Sequence, residues 1–226
     1  MELTYLGLSC LRLRGREVEV VVDPLPERTA RPPRTQPDIL VYTSGAADPE
    51  SLRARAGQPQ VVRGPGEYEL RGVRITGIAA QASQTTRARL ADAGNGGAPA
   101  AEALTIMRVE VDDVSVVALG RLCAALTEDQ LERLGHVDVL AVPVGGGDAL
   151  GASEATRLVN AVEPAVVVPV RYHVAGLPGE YEPVERFAKE MGLAEGWRAQ
   201  PRLSLTGSAS SNEDTAVVVL EPRAAT

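Results

Sequence analysis

Chemistry in this chain has few places to start. Histidine occurs only at His136 and His173, and cysteine only at Cys10 and Cys123. Cys10, Cys123, His173 and Asp48 are suitable zinc donors by type. Zinc, however, needs about four such donors within about 2.0–2.3 Å, and nothing in the sequence places these groups together. Ser44 with His173 would make a nucleophile and base, but no GxSxG-like elbow surrounds Ser44, so it reads as a loop hydroxyl. His136, in LGHVDV, lies where a helix hands over to a strand and reads as a surface histidine. The PVGGG stretch, Pro143–Gly147, lacks the Walker lysine and the Rossmann spacing and reads as a strand-end turn. Two cysteines make no disulfide framework and read as buried thiols. These residue types name no catalytic group.

The bulk numbers narrow the classes. A chain of 226 residues with 44% apolar content can bury a sizeable core. A net charge of −7 and a pI near 5.0 oppose broad contact with nucleic acid, whose phosphates call for a basic face. One phenylalanine, Phe187, and one tryptophan, Trp197, leave few rings for base stacking. No run is apolar enough to span a membrane, and the opening MELTYLGLSCLRLRG alternates like a strand without a signal-peptide layout. The expectation is a cytoplasmic protein with no membrane partner. Lys189 is the sole lysine; the other basic residues are arginine.

The elements that must carry the candidates begin as β. ELTYLG, CLRLRG, EVEVVVD and DILVYT are short β-rich runs separated by Gly or charge. QVVRGPGEYELRGVRITGI reads as a strand, a Gly-Pro-Gly turn and a hairpin across Arg71-Gly72. Residues 81–100 are loop-like and are expected to be mobile. LTIMRVEV and VSVVALG predict a hairpin around Asp112-Asp113. The pattern then turns α/β. The helices TEDQLERLG, SEATRLVNAVEP and EPVERFAKEMG alternate with the buried strands VDVLAVPV and AVVVPVRY, and RLSLTG and TAVVVLEP close the chain. Two β-rich halves edged by helices suit a layered sandwich, expected as one domain over residues 1–226.

With those phrases in that order, the sequence resembles the metallo-β-lactamase superfamily. The similarity is to its small single-domain metal-dependent hydrolases, the branch that includes L-ascorbate-6-phosphate lactonase. YLGLSCLRL, VVVDP, GPGEYELRGVRITGI, LTEDQLERLGHVDVLAVPVGGG and EATRLVNAVEPAVVVPVRY carry the likeness. It implies an α/β fold, a four-layer αββα sandwich, with metals at the sheet edges.

The resemblance also implies a ligand set that this chain does not carry. In the family the loop after the fourth strand reads Thr-His-x-His-x-Asp-His and holds zinc, or manganese, which ionises a water. Here it reads Thr43-Ser44-Gly45-Ala46-Ala47-Asp48-Pro49. Ser44, Ala46 and Pro49 stand at the histidine positions, and Asp48 is kept. Leu8 stands where the branch has a histidine, Arg121 replaces the bridging aspartate, and Arg171 replaces the last histidine. Arginines there add positive charge where a cation would sit.

The expectation is a metal-free pseudoenzyme that binds a ligand or partner through the former cleft. A residual hydrolase of lactones or phosphoesters, and a structural or homo-oligomeric assembly role, are the alternatives. At least one guanidinium is expected to fill the former metal position and pair with Asp48 or Asp23. Arg121, Arg171, His173 and Asp23 would then line a cleft suited to a small anionic ligand.

Overall fold

The computed structural model describes residues 1–25, 36–44, 58–80, 104–193, 196–207 and 215–223. Two mixed sheets carry the architecture. The first runs β12-β1-β2-β3-β4-β5 and the second β13-β11-β10-β9-β8-β7-β6. In chain order the first sheet takes β1 (Glu2–Gly7), β2 (Cys10–Arg14), β3 (Glu19–Val22), β4 (Ile39–Tyr42) and β5 (Gln60–Arg63). The second takes β6 (Gly66–Leu70), β7 (Val73–Ala80), β8 (Leu104–Val111), β9 (Val114–Ala118), β10 (Val139–Pro143) and β11 (Val166–Val170). The short strands β12 (Leu203–Ser204) and β13 (Ala216–Val217) add one edge to each.

The period-2 pattern assigns the faces of the first sheet. Val20, Val22, Ile39 and Val41 join the core between the sheets, while Val21, Leu40 and Tyr42 turn to a second apolar cluster on the other side. In the second sheet, β9, β10 and β11 are parallel and every residue is buried. Continuous apolar runs are what a sheet covered on both faces requires.

Helices supply the outer cover. α1 (Glu128–Leu134) starts with the expected Thr127 cap, in which Thr127 and Gln130 bond reciprocally. Its Gln130 side chain donates to the carbonyl of Ala79 on β7 at 2.7 Å, which fixes the helix on the sheet. α2 (Ala152–Val162) buries Ala152, Ala155, Leu158 and Val159, and α3 (Val184–Glu190) buries Val184, Phe187 and Ala188. Both hairpins are formed, with Arg71 and Asp112–Asp113 in the left-handed turn conformation.

The final run differs from its reading as one strand. Only Ala216–Val217 pair regularly, with β11. Val219 then accepts from the amide of Gln200, and Arg223 donates its amide to Tyr5 in the first sheet. Leaving one sheet for the other, the segment cannot follow a single ladder. Residues 81–103 lie outside the described residues.

Candidate functional site

A parallel sheet gathers chemistry at the carboxyl ends of its strands. Past β9 stands Arg121, past β10 stands Asp148, and past β11 stands Arg171. Because β10 lies between the other two, its terminal loop delivers Asp148 between the two arginines. From the first sheet come Ser9 in the β1–β2 turn, Asp23 after β3 and Thr43 after β4.

Close backbone contact joins these ends. The Thr105 amide donates to the Thr43 carbonyl at 2.7 Å, and Ser9 Oγ donates to the Gly120 carbonyl at 3.2 Å. Gly120 must be glycine here: its φ is +58°, and a Cβ would land inside the contact radius of Thr43 Oγ1.

Arg171 is the centre of the cluster and only 8% exposed. Its Nε reaches Asp148 Oδ1 at 3.2 Å, and one terminal nitrogen reaches Asp148 Oδ1 and Oδ2 at 2.8 and 2.6 Å. The same nitrogen donates to the Tyr181 hydroxyl at 2.6 Å, and the other reaches Ser9 Oγ at 3.4 Å. The guanidinium carbon lies 5.1 Å from the centre of the Tyr181 ring. Tyr181 in turn donates to Asp148 Oδ1 at 3.3 Å, and Arg121 approaches Asp148 Oδ2 at 3.5 Å. A buried arginine is tolerated because its planar fork meets a carboxylate squarely.

Opposing effects set the two carboxylates apart. Burial pushes the Asp148 carboxyl up, but hydrogen bonds and charge from Arg171, with Arg121 and Tyr181 adding, hold it below the usual range. Asp23 accepts from the Thr43 amide at 2.8 Å and the Thr43 hydroxyl at 2.5 Å. Burial nevertheless dominates and pushes the Asp23 carboxyl up.

For Arg171 the partner is Asp148, where the expectation for either guanidinium named Asp48 or Asp23. Thr43 already occupies the Asp23 oxygens, and Asp148 is delivered directly onto the fork. Asp48, Ala46 and Pro49 lie outside the described residues. Ser44 is half-buried after β4, and no hydrogen bond joins it to His173. His136 is exposed and sits 3.2 Å from Asp138, on the far side of β10 from the cluster. Of the zinc-donor candidates, the three that are described do not form one group. Cys10 is buried in the second apolar cluster, where burial pushes its thiol up, while Cys123 and His173 line a cleft. Asp148 and Tyr181 were missed as site residues. An acid directly after PVGGG was visible in the sequence, but that its strand lies between two others ending in arginine is shown only by the sheet order.

That cleft opens beside the cluster, with a volume of about 820 Å³. Gly145–Gly147 and the start of α2 form one side, His173, Tyr181 and Glu182 the other. Tyr181 belongs to both cleft and cluster.

Among the described residues, no group of three or more His, Cys, Asp or Glu stands where it could hold a metal ion. The donors that converge, Asp23 and Asp148, are committed to Thr43 and to guanidinium groups. Among the described residues, this set does not fit a zinc shell.

A family profile described as a beta-lactamase superfamily domain matches residues 2–171. A UPF0173 metal-dependent hydrolase of Methanospirillum hungatei is 26% identical over 190 residues, covering 76% of this chain and 83% of that protein. A second, from Methanopyrus kandleri, is 24% identical and covers 98% of this chain and 97% of its own length. Among solved structures, a Thermotoga maritima protein assigned to the Zn-dependent hydrolases of the metallo-beta-lactamase superfamily superposes with a TM-score of 0.72. The two are 23% identical, with 97% of each chain covered. A metallo hydrolase of Ignicoccus hospitalis gives a TM-score of 0.65 at 18% identity, covering 91% and 99%. At these identities the structural likeness speaks for the fold alone.

Proposed function

Because this chain belongs to the beta-lactamase superfamily, within which it is similar to proteins named metal-dependent hydrolases, we propose that it is a metal-free, non-catalytic member. It holds a ligand or a partner in the cleft beside Tyr181. The observation that carries this reading is the Arg171 fork closed on Asp148. A guanidinium stands where the family resemblance calls for a histidine ligand, and an anion engages it through two of its three nitrogens. A bound cation would meet Arg171 and Arg121 as like charges in a partly dry site, where repulsion is strong. Without a metal there would be no group to ionise a water, and bound water would keep its ordinary weak acidity.

A second reading, a residual hydrolase of a lactone or phosphoester, draws on the names of the relatives and on Asp23, which remains beside Thr43 at the end of β3.

Elemental analysis of the purified protein separates the two. The expected result is no stoichiometric zinc, manganese or iron, and no rise in melting temperature when these are added, since a ligand of the folded state must raise it. Hydrolysis of lactones and phosphodiesters stays at background. One tightly held metal per chain, lost with activity on chelation, overturns the proposal.

A further inference from the structure

We propose that Arg171, Arg121 and Tyr181 form an oxyanion receptor whose resident occupant is the chain's own Asp148, and that a carboxylate or phosphate ligand enters by displacing that side chain. This rests on the metal-free reading and names the ligand class of the same site.

Geometry supports a plug. Asp148 offers the fork a carboxylate in the arrangement a free carboxylate or phosphate would adopt, with both oxygens engaged and a tyrosine hydroxyl beside them. The Arg171 side chain is 9% exposed while that of Asp148 is 29% exposed, so the carboxylate stands between the guanidinium and solvent. Arg121, at 28% exposure, lies on the open side.

The loop that bears Asp148 can release it without unfolding. The Gly146 amide donates to the Leu150 carbonyl at 2.9 Å and the Ala149 amide to the Gly146 carbonyl at 3.3 Å, closing the base of the turn. Glu182 further donates its amide to Gly145 at 2.9 Å. With the backbone pinned on both flanks, rotation about the two side-chain bonds of Asp148 is enough to vacate the fork. The Asp148 side chain is already 29% exposed, so its carboxylate has solvent on one side into which to turn. Tyr181 lines the cleft and touches the fork, so it is the side chain that joins the two.

Charge favours exchange over an empty site. Two guanidinium groups face Asp148, and Asp23 is already engaged by Thr43. Removing Asp148 with nothing in its place would leave the buried Arg171 with the Tyr181 and Ser9 hydroxyls but no carboxylate on its fork, which is costly. A tethered carboxylate competes at an effective concentration of about millimolar or more, so free anions bind the wild-type protein weakly.

The test is rescue of Asp148→Ala by sodium acetate and, separately, inorganic phosphate, against sodium chloride at matched ionic strength. The expected result is a lowered melting temperature that millimolar acetate or phosphate restores. The anion is bound at least tenfold more tightly than by the wild-type protein, and Arg171→Met combined with Asp148→Ala abolishes the rescue. The acetate and phosphate arms identify which oxyanion the fork prefers. If Asp148→Ala does not fold, Asp148→Asn keeps the volume while weakening the plug, and the same titration applies to it. No rescue by either anion, or equal binding by wild type and variant, overturns the inference and leaves Asp148–Arg171 as a structural pair. That failure is separate from failure of the metal-free reading, which elemental analysis of the wild-type protein alone decides.

Discussion

The amide of Arg171 donates to the carbonyl oxygen of Leu8 at 2.8 Å, and both residues hold a positive φ, 55° and 50°. Asp23, at the end of β3, holds φ 46°. Left-handed backbone at residues other than glycine costs on the order of 1–3 kcal/mol each and persists where surrounding contacts fix it. Here the contacts are those that join the two sheets around the arginine cluster. Leu8, Asp23 and Arg171 thus bring strained backbone to the strand ends around the arginine cluster, while Arg71, Asp112 and Asp113 hold theirs in hairpin turns.

Leu8→Val follows from that conformation. A β-branched side chain resists positive φ more than leucine does. The variant should lose about 1–3 kcal/mol in denaturant unfolding, with circular dichroism otherwise unchanged. Equal stability would show that Leu8 bears no strain.

Gly120→Ala should be more damaging. The new methyl group meets the Thr43 hydroxyl, with only a positive φ available to it. The expected loss is about 2 kcal/mol or more, read from the urea midpoint. Displacing Thr43 would also loosen its two bonds to Asp23.

Acid should act on the two carboxylates in opposite directions. Asp148 has a folded value held below the ordinary one, with burial opposing and Arg171 prevailing. Its contribution is complete above the unfolded pKa of about 3.9 and is lost as pH falls through the lower folded value. Asp23 has a folded value raised by burial. The folded state binds its proton more tightly, so Asp23 destabilises the fold as pH rises from about 3.9 through the raised value. Melting temperature measured across this range should therefore lose its acid limb in Asp148→Asn. In Asp23→Asn the decline on the alkaline side of that range should disappear.

A control lies at the other end of the parallel strands. Asp138 is 2% exposed and accepts from the Ser115 amide at 2.7 Å and the Ser115 hydroxyl at 2.8 Å. Asp138→Ala leaves the Ser115 amide buried without its acceptor and should cost about 1–3 kcal/mol. Anion binding should not change, because Asp138 is remote from the fork. A change in anion affinity would mean that the two ends of β10 are coupled.

Much of the scaffold was legible because its signals are local. Val20–Val22 and Ile39–Tyr42 alternate between two apolar surfaces, Thr127 and Gln130 write out a helix start, and Arg71-Gly72 marks a hairpin. The partner of the arginines was not legible. Asp148 reaches Arg171 only because β10 lies between β9 and β11, and strand order is a property of pairing rather than of any one segment. The same holds for Tyr181, which sits ten residues past Arg171 yet folds back to touch its guanidinium. The C-terminal run was misread as one strand because hydropathy does not register a chain crossing between sheets.

The bond between Ser9 and Arg171 closes a separation of 162 residues. The bond needs the β1–β2 turn of one sheet and the end of β11 in the other to be already in place, so it is expected to form late, after the sheets have met. Interactions absent from the folding transition state govern how fast the native state opens, not how fast it forms. Arg171→Met should therefore leave the refolding arm of a chevron in place and lift the unfolding arm. The arginine fork thus sets how long the assembled cleft survives between openings.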